Sequence, residues 1–240
     1  MRDEAVPRRR GPIHTCEASM SSHRPSFPPA PSQARAVLIQ GHPRRGSFSH
    51  ALATAWTDGA RQGGVHVDVI EVGQLDFDLV FRAEVDQEAS LEPDLVRARQ
   101  LIADAAHVVV AFPVWWSSTP APLKGFIDRV FGAGWAYRYE NQLPVGGLKG
   151  RSGRVLVTMD SPLWYDRWLG GRPAIQQVRR GTLAFCGLSP VGLSAFGSLH
   201  RSTPEQRERM LAEARKAGAK DASRLVRRFP VAQIEASKAA

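Results

Sequence analysis

Three short stretches combine residue types that can bind and orient a flat, phosphate-bearing ligand. The first is Gly41-His42-Pro43-Arg44-Arg45-Gly46-Ser47-Phe48-Ser49. It precedes a pattern that reads as a helix from Ser47 to Arg61, with Ser47 as a favourable N-cap. A helix N-terminus offers unpaired N–H groups and partial positive charge, which suits phosphate. Ser47 and Ser49 add hydroxyls, and Arg44 and Arg45 add charge. A capped helix behind a solvated basic turn is the plainer reading. The spacing is neither GxGxxG nor GxxxxGK[ST], which counts against a standard dinucleotide fold and a nucleoside triphosphatase.

The second stretch is Phe112-Pro113-Val114-Trp115-Trp116-Ser117-Ser118-Thr119-Pro120. Two adjacent Trp residues are costly on a bare surface. In isolation both could be core. At the end of an apolar run, between prolines, they offer aromatic faces and backbone N–H groups together. A flat aromatic cofactor needs that combination. The third stretch, Thr158-Met159-Asp160-Ser161-Pro162-Leu163-Trp164-Tyr165, again mixes small polar and aromatic residues. Alone it reads as an ordinary loop. Three such loops at one sheet edge make a pocket the better joint explanation.

The elements that must position these loops follow from periodicity. Ala36–Gln40, Val65–Val72, His107–Phe112, Arg154–Met159 and Val191–Phe196 read as strands. The third is apolar after its first residue, as for a central parallel strand covered on both faces. Helices are expected over Ser47–Arg61, Pro93–Ala105, from Pro120 onward, Pro173–Gly187, and Thr203 to about Arg227. Leu123, Phe126, Ile127, Val130 and Phe131 form one apolar stripe. Thr203-Pro204-Glu205-Gln206 is a capping box with Pro at the first helical position. Residues 73–92 read as a long acidic loop, and Gly132–Gly153 as a Gly-rich segment containing Trp135, Tyr137 and Tyr139. Alternating strands and helices indicate an α/β, doubly wound parallel sheet. Ligands bind such sheets beyond the carboxyl ends of the strands, where all three loops belong.

Composition bounds the rest. The 240 residues, 43% apolar, can bury a sizeable core. No apolar run is long enough to cross a membrane. Cys16 and Cys186 are the only cysteines and form no CxxC pair, which argues against a disulfide scaffold or zinc ribbon and fits a reducing, cytoplasmic home. No metal-ligand spacing is present. The net charge is +9, of which residues 1–35 contribute +3 through six Arg. No zinc finger or RNA-binding aromatic motif accompanies that charge, so nucleic acid is not an expected partner. Residues 1–34 read as a disordered Pro-, Ser- and Arg-rich extension, 35–228 as one globular domain, and 229–240 as a frayed tail.

Several motifs together resemble the NAD(P)H:quinone oxidoreductase (DT-diaphorase-like) family of flavodoxin-fold enzymes. They are Ala36 to Pro43, Ser47-Phe48-Ser49, Phe112 to Trp116, Pro120 to Phe131, Gly134 to Tyr139 and Gly147 to Gly150. The likeness runs from about Ala36 to Arg215. It implies a flavodoxin-like doubly wound five-stranded parallel sheet of order 2-1-3-4-5 and a bound flavin, FMN or FAD. It also implies NADPH or NADH as co-substrate, a quinone-like acceptor and a homodimer. His42, Arg44, Ser47, Phe48 and Ser49 would hold the phosphate and ribityl end. Pro113, Val114, Trp115, Trp116 and Ser117 would line the isoalloxazine, with backbone N–H groups near its reactive nitrogen. Thr158, Met159, Asp160 and Ser161 would border its other edge. Tyr137 and Tyr139 would border the acceptor site, in the family often from the second subunit.

The chain departs from the family at Thr158-Met159-Asp160-Ser161, where members often carry Thr-Thr-Gly-Gly. The quinone reductase branch places a Tyr and a His shortly after. Here Tyr165 stands near that place, as the one catalytic candidate, and no His lies between His107 and His200. The reaction expected is hydride transfer from NAD(P)H through the flavin to a quinone-like acceptor. Two other readings remain open: a flavin-binding redox sensor or ancillary regulatory subunit, and an azoreductase or electron carrier.

Overall fold

The computed structural model describes residues 27–82 and 90–230. The elements are β1 (Arg35–Gln40), α1 (Phe48–Gln62), β2 (His66–Glu71), α2 (Pro93–Asp104), β3 (His107–Pro113), α3 (Ala121–Val130), β4 (Tyr137–Glu140), β5 (Leu143–Gly146), β6 (Ser152–Thr158), α4 (Leu163–Trp168), α5 (Pro173–Gln176), β7 (Val191–Phe196) and α6 (Pro204–Arg228). A five-stranded sheet runs β2-β1-β3-β6-β7, and every pairing in it is parallel. Leaving aside the separate β4–β5 hairpin, this is the expected order.

Side-chain alternation builds the two cores. Val37 and Ile39 of β1 and Val108, Val110 and Phe112 of β3 enter one cluster, with residues of α2 and α3. Ala36 and Leu38 of β1 and Val109 and Ala111 of β3 enter the other, with residues of α1 and α6. Period-two alternation on strands buried from both sides explains why these runs are apolar at nearly every position. All seven residues of β3 are buried.

Helices α1 and α6 approach until backbones touch. A Cβ at Gly218 would lie 2.0 Å from the Trp56 carbonyl oxygen, and one at Gly59 2.0 Å from that of Arg215. Neither carbonyl can yield without moving a helix. Gly218→Ala is therefore expected to cost about 2–3 kcal/mol, despite alanine's better helix propensity. Urea unfolding checks this, and an unchanged or raised midpoint would show the helices free to part.

Three local expectations need correction. The Gly-rich segment contains an antiparallel hairpin, β4–β5, pairing Tyr137 with Gly146 and Glu140 with Leu143. The segment opening at Pro173 is α-helical only to Gln176 and continues as π-helix over Gln177–Ala184. Residues 163–165, read as the end of a loop, instead open α4, which runs to Trp168. Residues 1–26, 83–89 and 231–240 lie outside the described residues, and with them most of the expected extension and tail. Residues 27–34 depart from the expected extension because they make specific contacts. The Phe27 ring lies 4.2 Å from the Arg138 guanidinium, and Arg151 donates to the Pro29 carbonyl at 2.7 Å.

Candidate functional site

Because β1, β3, β6 and β7 are parallel, the segments after them emerge at one edge, and a closed ring of contacts joins them. Backbone bonds extend the ladder past the strand ends. Gly41 N donates to Ala111 O (2.8 Å), Val114 N to Thr158 O (2.7 Å) and Met159 N to Phe196 O (2.9 Å). His42 meets Trp115 edge-on at 5.5 Å. Asp160 Oδ1 accepts from His200 N at 3.0 Å, tying the segment after β6 to that after β7. Arg207, near the start of α6, closes the ring. Its guanidinium carbon lies 5.7 Å from the Phe48 ring centroid, and its Nε donates to Ser202 Oγ at 2.9 Å.

The first segment is braced from within. Gln40, buried at the end of β1, donates through Nε2 to Ser49 O (3.3 Å) and accepts from His42 N through Oε1 (3.0 Å). Arg44 N donates to His42 Nδ1 at 3.0 Å, which assigns the imidazole proton to Nε2. Burial, then the Arg44 charge, lowers the His42 pKa, so the ring is neutral near pH 7. Ser47 Oγ caps α1 by accepting from His50 N. Phe48 N and Ser49 N, in the first turn, are left for a ligand. Gly46 adopts φ +75°, and no heavy atom lies within 4 Å of a Cβ built there. Arg45 pairs with Glu71, whereas Arg44 is exposed.

The second segment turns back on itself. Trp115 N donates to Ser118 O and Ser118 N to Trp115 O, at 3.0 and 2.9 Å. Between them Trp116 has φ 51° and Ser117 φ 59°. Both central residues at positive φ define a type I′ turn, which normally takes Asn or Gly. Bulky residues held there cost free energy, and such strain concentrates at functional sites. The turn projects Trp116 wholly into solvent, 101% exposed, and Trp115 is 43% exposed. The Trp116 and Ser117 N–H groups make no hydrogen bond among the described residues.

The third segment divides by depth. Thr158 and Met159 are buried, Met159 within the core cluster, while Asp160 is exposed. Pro113 is buried in β3, and the Val114 N–H is taken up by Thr158 O. The side chains that face the ring are thus fewer than the sequence suggests. Tyr165, on α4 directly after this segment, is 48% exposed, with its ring edge-on to Trp164 at 6.0 Å.

Tyr137 and Tyr139 are not brought to this edge. α3 carries the chain away from the ring, and the β4–β5 hairpin lies where β6 begins. Leu148 N bonds Cys186 O there, and Tyr137 packs on Phe185 at 5.0 Å. Burial, then neighbouring Tyr139, raises the Tyr137 pKa, so its hydroxyl stays a donor. Two ring residues escape sequence reasoning, Gln40 and Arg207. A polar residue ending an apolar strand was a usable signal for Gln40. Arg207 has no such signal, because it reaches the ring across the fold.

The arrangement fits a flat, phosphate-bearing group. A helix N-terminus and exposed Arg44 suit the phosphate. Two unpaired backbone N–H groups beside exposed indoles suit a heteroaromatic ring. Comparison with known proteins agrees. An NAD(P)H oxidoreductase of Haemophilus influenzae is 28% identical over 180 residues, covering 73% of this chain and 89% of that protein. The NAD(P)H dehydrogenase [quinone] 1 of Cavia porcellus is 24% identical over 202 residues, covering 74% of each. The solved NAD(P)H:quinone oxidoreductase from Methanothermobacter marburgensis superposes with a TM-score of 0.65 at 26% identity, over 78% of this chain and 96% of that one. The family described as flavodoxin-like fold matches residues 34–220, and with most of its length inside that match the chain belongs to it.

Proposed function

We propose that the chain is a flavin-dependent NAD(P)H oxidoreductase that passes reducing equivalents to a quinone-like acceptor. The observation that carries this reading is the type I′ turn of Trp115 to Ser118. It spends conformational energy to hold an indole and two unpaired N–H groups over the C-terminal strand ends. The α1 N-terminus, Ser49 and Arg44 would bind the phosphate of FMN or FAD. The neutral His42 would offer its Nε2 proton. Trp116 and Ser117 would donate backbone hydrogen bonds to the ring edge, and Asp160 and Ser161 would border the other side. Bound flavin supplies the hydride chemistry, and the protein supplies orientation and electrostatics.

Tyr165, on α4, would donate a hydrogen bond to negative charge on the reduced ring. Tyr165→Phe is expected to slow flavin reduction by NADPH or NADH about 10- to 100-fold, the weight of one hydrogen bond to a charged acceptor. Stopped-flow reduction at saturating nicotinamide reads this, and an unchanged rate removes Tyr165 from the chemistry.

A homodimer belongs to the same reading. Concavities of about 230 and 440 Å³ lie elsewhere, the first over the N-terminal strand ends and the second along α2. Around the ring, Trp116, Trp164, Trp168 and Leu169 are exposed. A second protomer would cover them and bring its own Tyr137 and Tyr139 over the ligand. No helix among the described residues is long and apolar enough to cross a membrane, and a cytoplasmic site of action is part of the proposal.

The visible spectrum of the purified protein tests the whole. Flavin absorbance that bleaches on anaerobic addition of NADPH or NADH, and returns with a benzoquinone, is expected. Absence of flavin bands, persisting after FMN or FAD is added, would leave the fold and remove the function.

A further inference from the structure

Residues 27–34 run along the base of the β4–β5 hairpin, and all but the last precede the stretch that the family match covers. The hairpin is shaped to receive them. A Cβ at Gly147 would lie 2.4 Å from Phe27 Cδ1, so the Phe27 ring occupies the space a side chain would fill. One at Gly150 would lie 3.7 Å from the Ala30 Cβ and 3.8 Å from Pro31 Cδ. On β4, Arg138 alternates with Tyr137 and Tyr139. Its guanidinium covers the Phe27 ring at 4.2 Å and pairs with Glu140, Nε to Oε1, at 2.6 Å. The tyrosines meet on the other face, ring centroids 5.9 Å apart.

The strap is also anchored below. Arg151 is fully buried, and all its hydrogen bonds go to carbonyls: Pro29 at 2.7 Å, Ala103 at 2.6 Å and Lys149 at 3.3 Å. Burial lowers its pKa. A buried cation needs each acceptor it has, because losing one leaves charge unsatisfied. The strap supplies one of the three. From Pro29 it continues to Ala34, which packs on the core, and into β1.

We infer that residues 27–34 are a positioning strap for the acceptor wall. Phe27 and Pro29 hold the hairpin through Arg138 and Arg151, so that Tyr137 and Tyr139 present a fixed face to the acceptor. A two-stranded hairpin alone is marginal in water, and this one pairs with no other strand among the described residues. A wall that moves binds a flat ligand less well, because its ordering must then accompany binding. The inference rests on the proposal that this hairpin borders the acceptor site.

Two readouts on the full chain, loaded with flavin, test it. In Phe27→Ala, amide hydrogen exchange across Tyr137–Gly146 is expected to speed up several-fold. The KM for a benzoquinone should rise about 3- to 10-fold, the weight of one aromatic contact. Turnover with ferricyanide, a one-electron acceptor that needs no stacking wall, should not change, and Phe27→Tyr should restore both values. Unchanged exchange in Phe27→Ala would show that the strap does not order the hairpin. Faster exchange with an unchanged quinone KM, while Tyr139→Ala raises that KM, would also overturn the inference. If Tyr139→Ala leaves the quinone KM unchanged, the hairpin is not an acceptor wall and the underlying reading fails with it.

Discussion

Asp221→Ala is expected to destabilise the protein by about 3–5 kcal/mol, the usual consequence of breaking a buried ion pair from one side. Asp221 is 4% exposed and lies with His107 and Ser152 at the N-terminal strand edge, opposite the candidate site. Arg154 grips it bidentately, with Nη2 to Oδ1 at 2.8 Å, and Trp56 Nε1 donates to Oδ2 at 3.2 Å. His107 Nε2 stands 3.4 Å from the same oxygen, and the His107 ring stacks on Trp56 at 5.8 Å. Removing the carboxylate leaves the Arg154 guanidinium in the core without its counter-charge. Asp221→Asn keeps the shape and loses the charge, and should fall between wild type and Asp221→Ala.

The pH dependence separates charge from packing. Burial alone would raise the Asp221 pKa, but the hydrogen bonds from Arg154 and the nearby His107 ring outweigh it and leave the pKa well below the ordinary carboxylate value. With a folded pKa depressed in this way, the stabilisation is complete above the unfolded value of about 3.9. It is lost as pH falls from there through the folded value. The gap between wild type and Asp221→Ala should therefore be flat between about pH 5 and 7 and narrow below about pH 4. Urea midpoints across that range measure it. A gap below about 1 kcal/mol at pH 7 would mean that water reaches Arg154 when Asp221 is gone.

That cluster marks a boundary of what sequence reveals. Residues 56, 107, 154 and 221 meet only because four elements converge, and no local spacing announces them. The strands were legible because double-sided burial makes β1 and β3 apolar at nearly every position. Capping was legible at Thr203 because its determinants are local, and the structure shows the reciprocal box with Gln206. The hairpin was not legible, since four-residue strands flanking Asn141-Gln142 are too short for a period. Both turn residues there take positive φ without a glycine. α4 was hidden for a related reason: six residues after Pro162 give less than two turns, and one member, Asp166, is fixed by Arg172 rather than by propensity.

The site divides along the same line. Its three loops were locatable from strand ends and composition, whereas the division of labour within them was not. Met159 is core, the Val114 N–H is spent on the ladder, and the unpaired N–H groups belong to Trp116 and Ser117. Only φ angles and hydrogen-bond partners distinguish these, and a Trp at a position that favours Asn or Gly is something no propensity scale would place there.

Ser47→Asp is expected to weaken flavin binding at least about 100-fold while leaving the fold as stable or more so. Aspartate is as good an N-cap as serine, and its charge complements the helix dipole. Ser47 Oγ caps α1 by accepting from His50 N, a role that a carboxylate oxygen can take over. The same charge would stand within a few ångströms of a phosphate seated on Phe48 N and Ser49 N. At about 5 Å and an effective dielectric of about 20, each pair of unit charges repels by about 3 kcal/mol, more than the two decades claimed. Ser47→Ala provides the contrast. It should cost about 1 kcal/mol of stability through the lost cap and weaken the flavin only modestly. Fluorescence titration of the apoprotein with FMN and FAD, beside thermal unfolding of the same samples, reads both quantities. A general fold defect would lower both together. Affinity lost from Ser47→Asp with its melting temperature held would assign the phosphate to this helix end. Affinity retained in Ser47→Asp would place the phosphate elsewhere on the ring, where Arg207 beside Phe48 offers another cation.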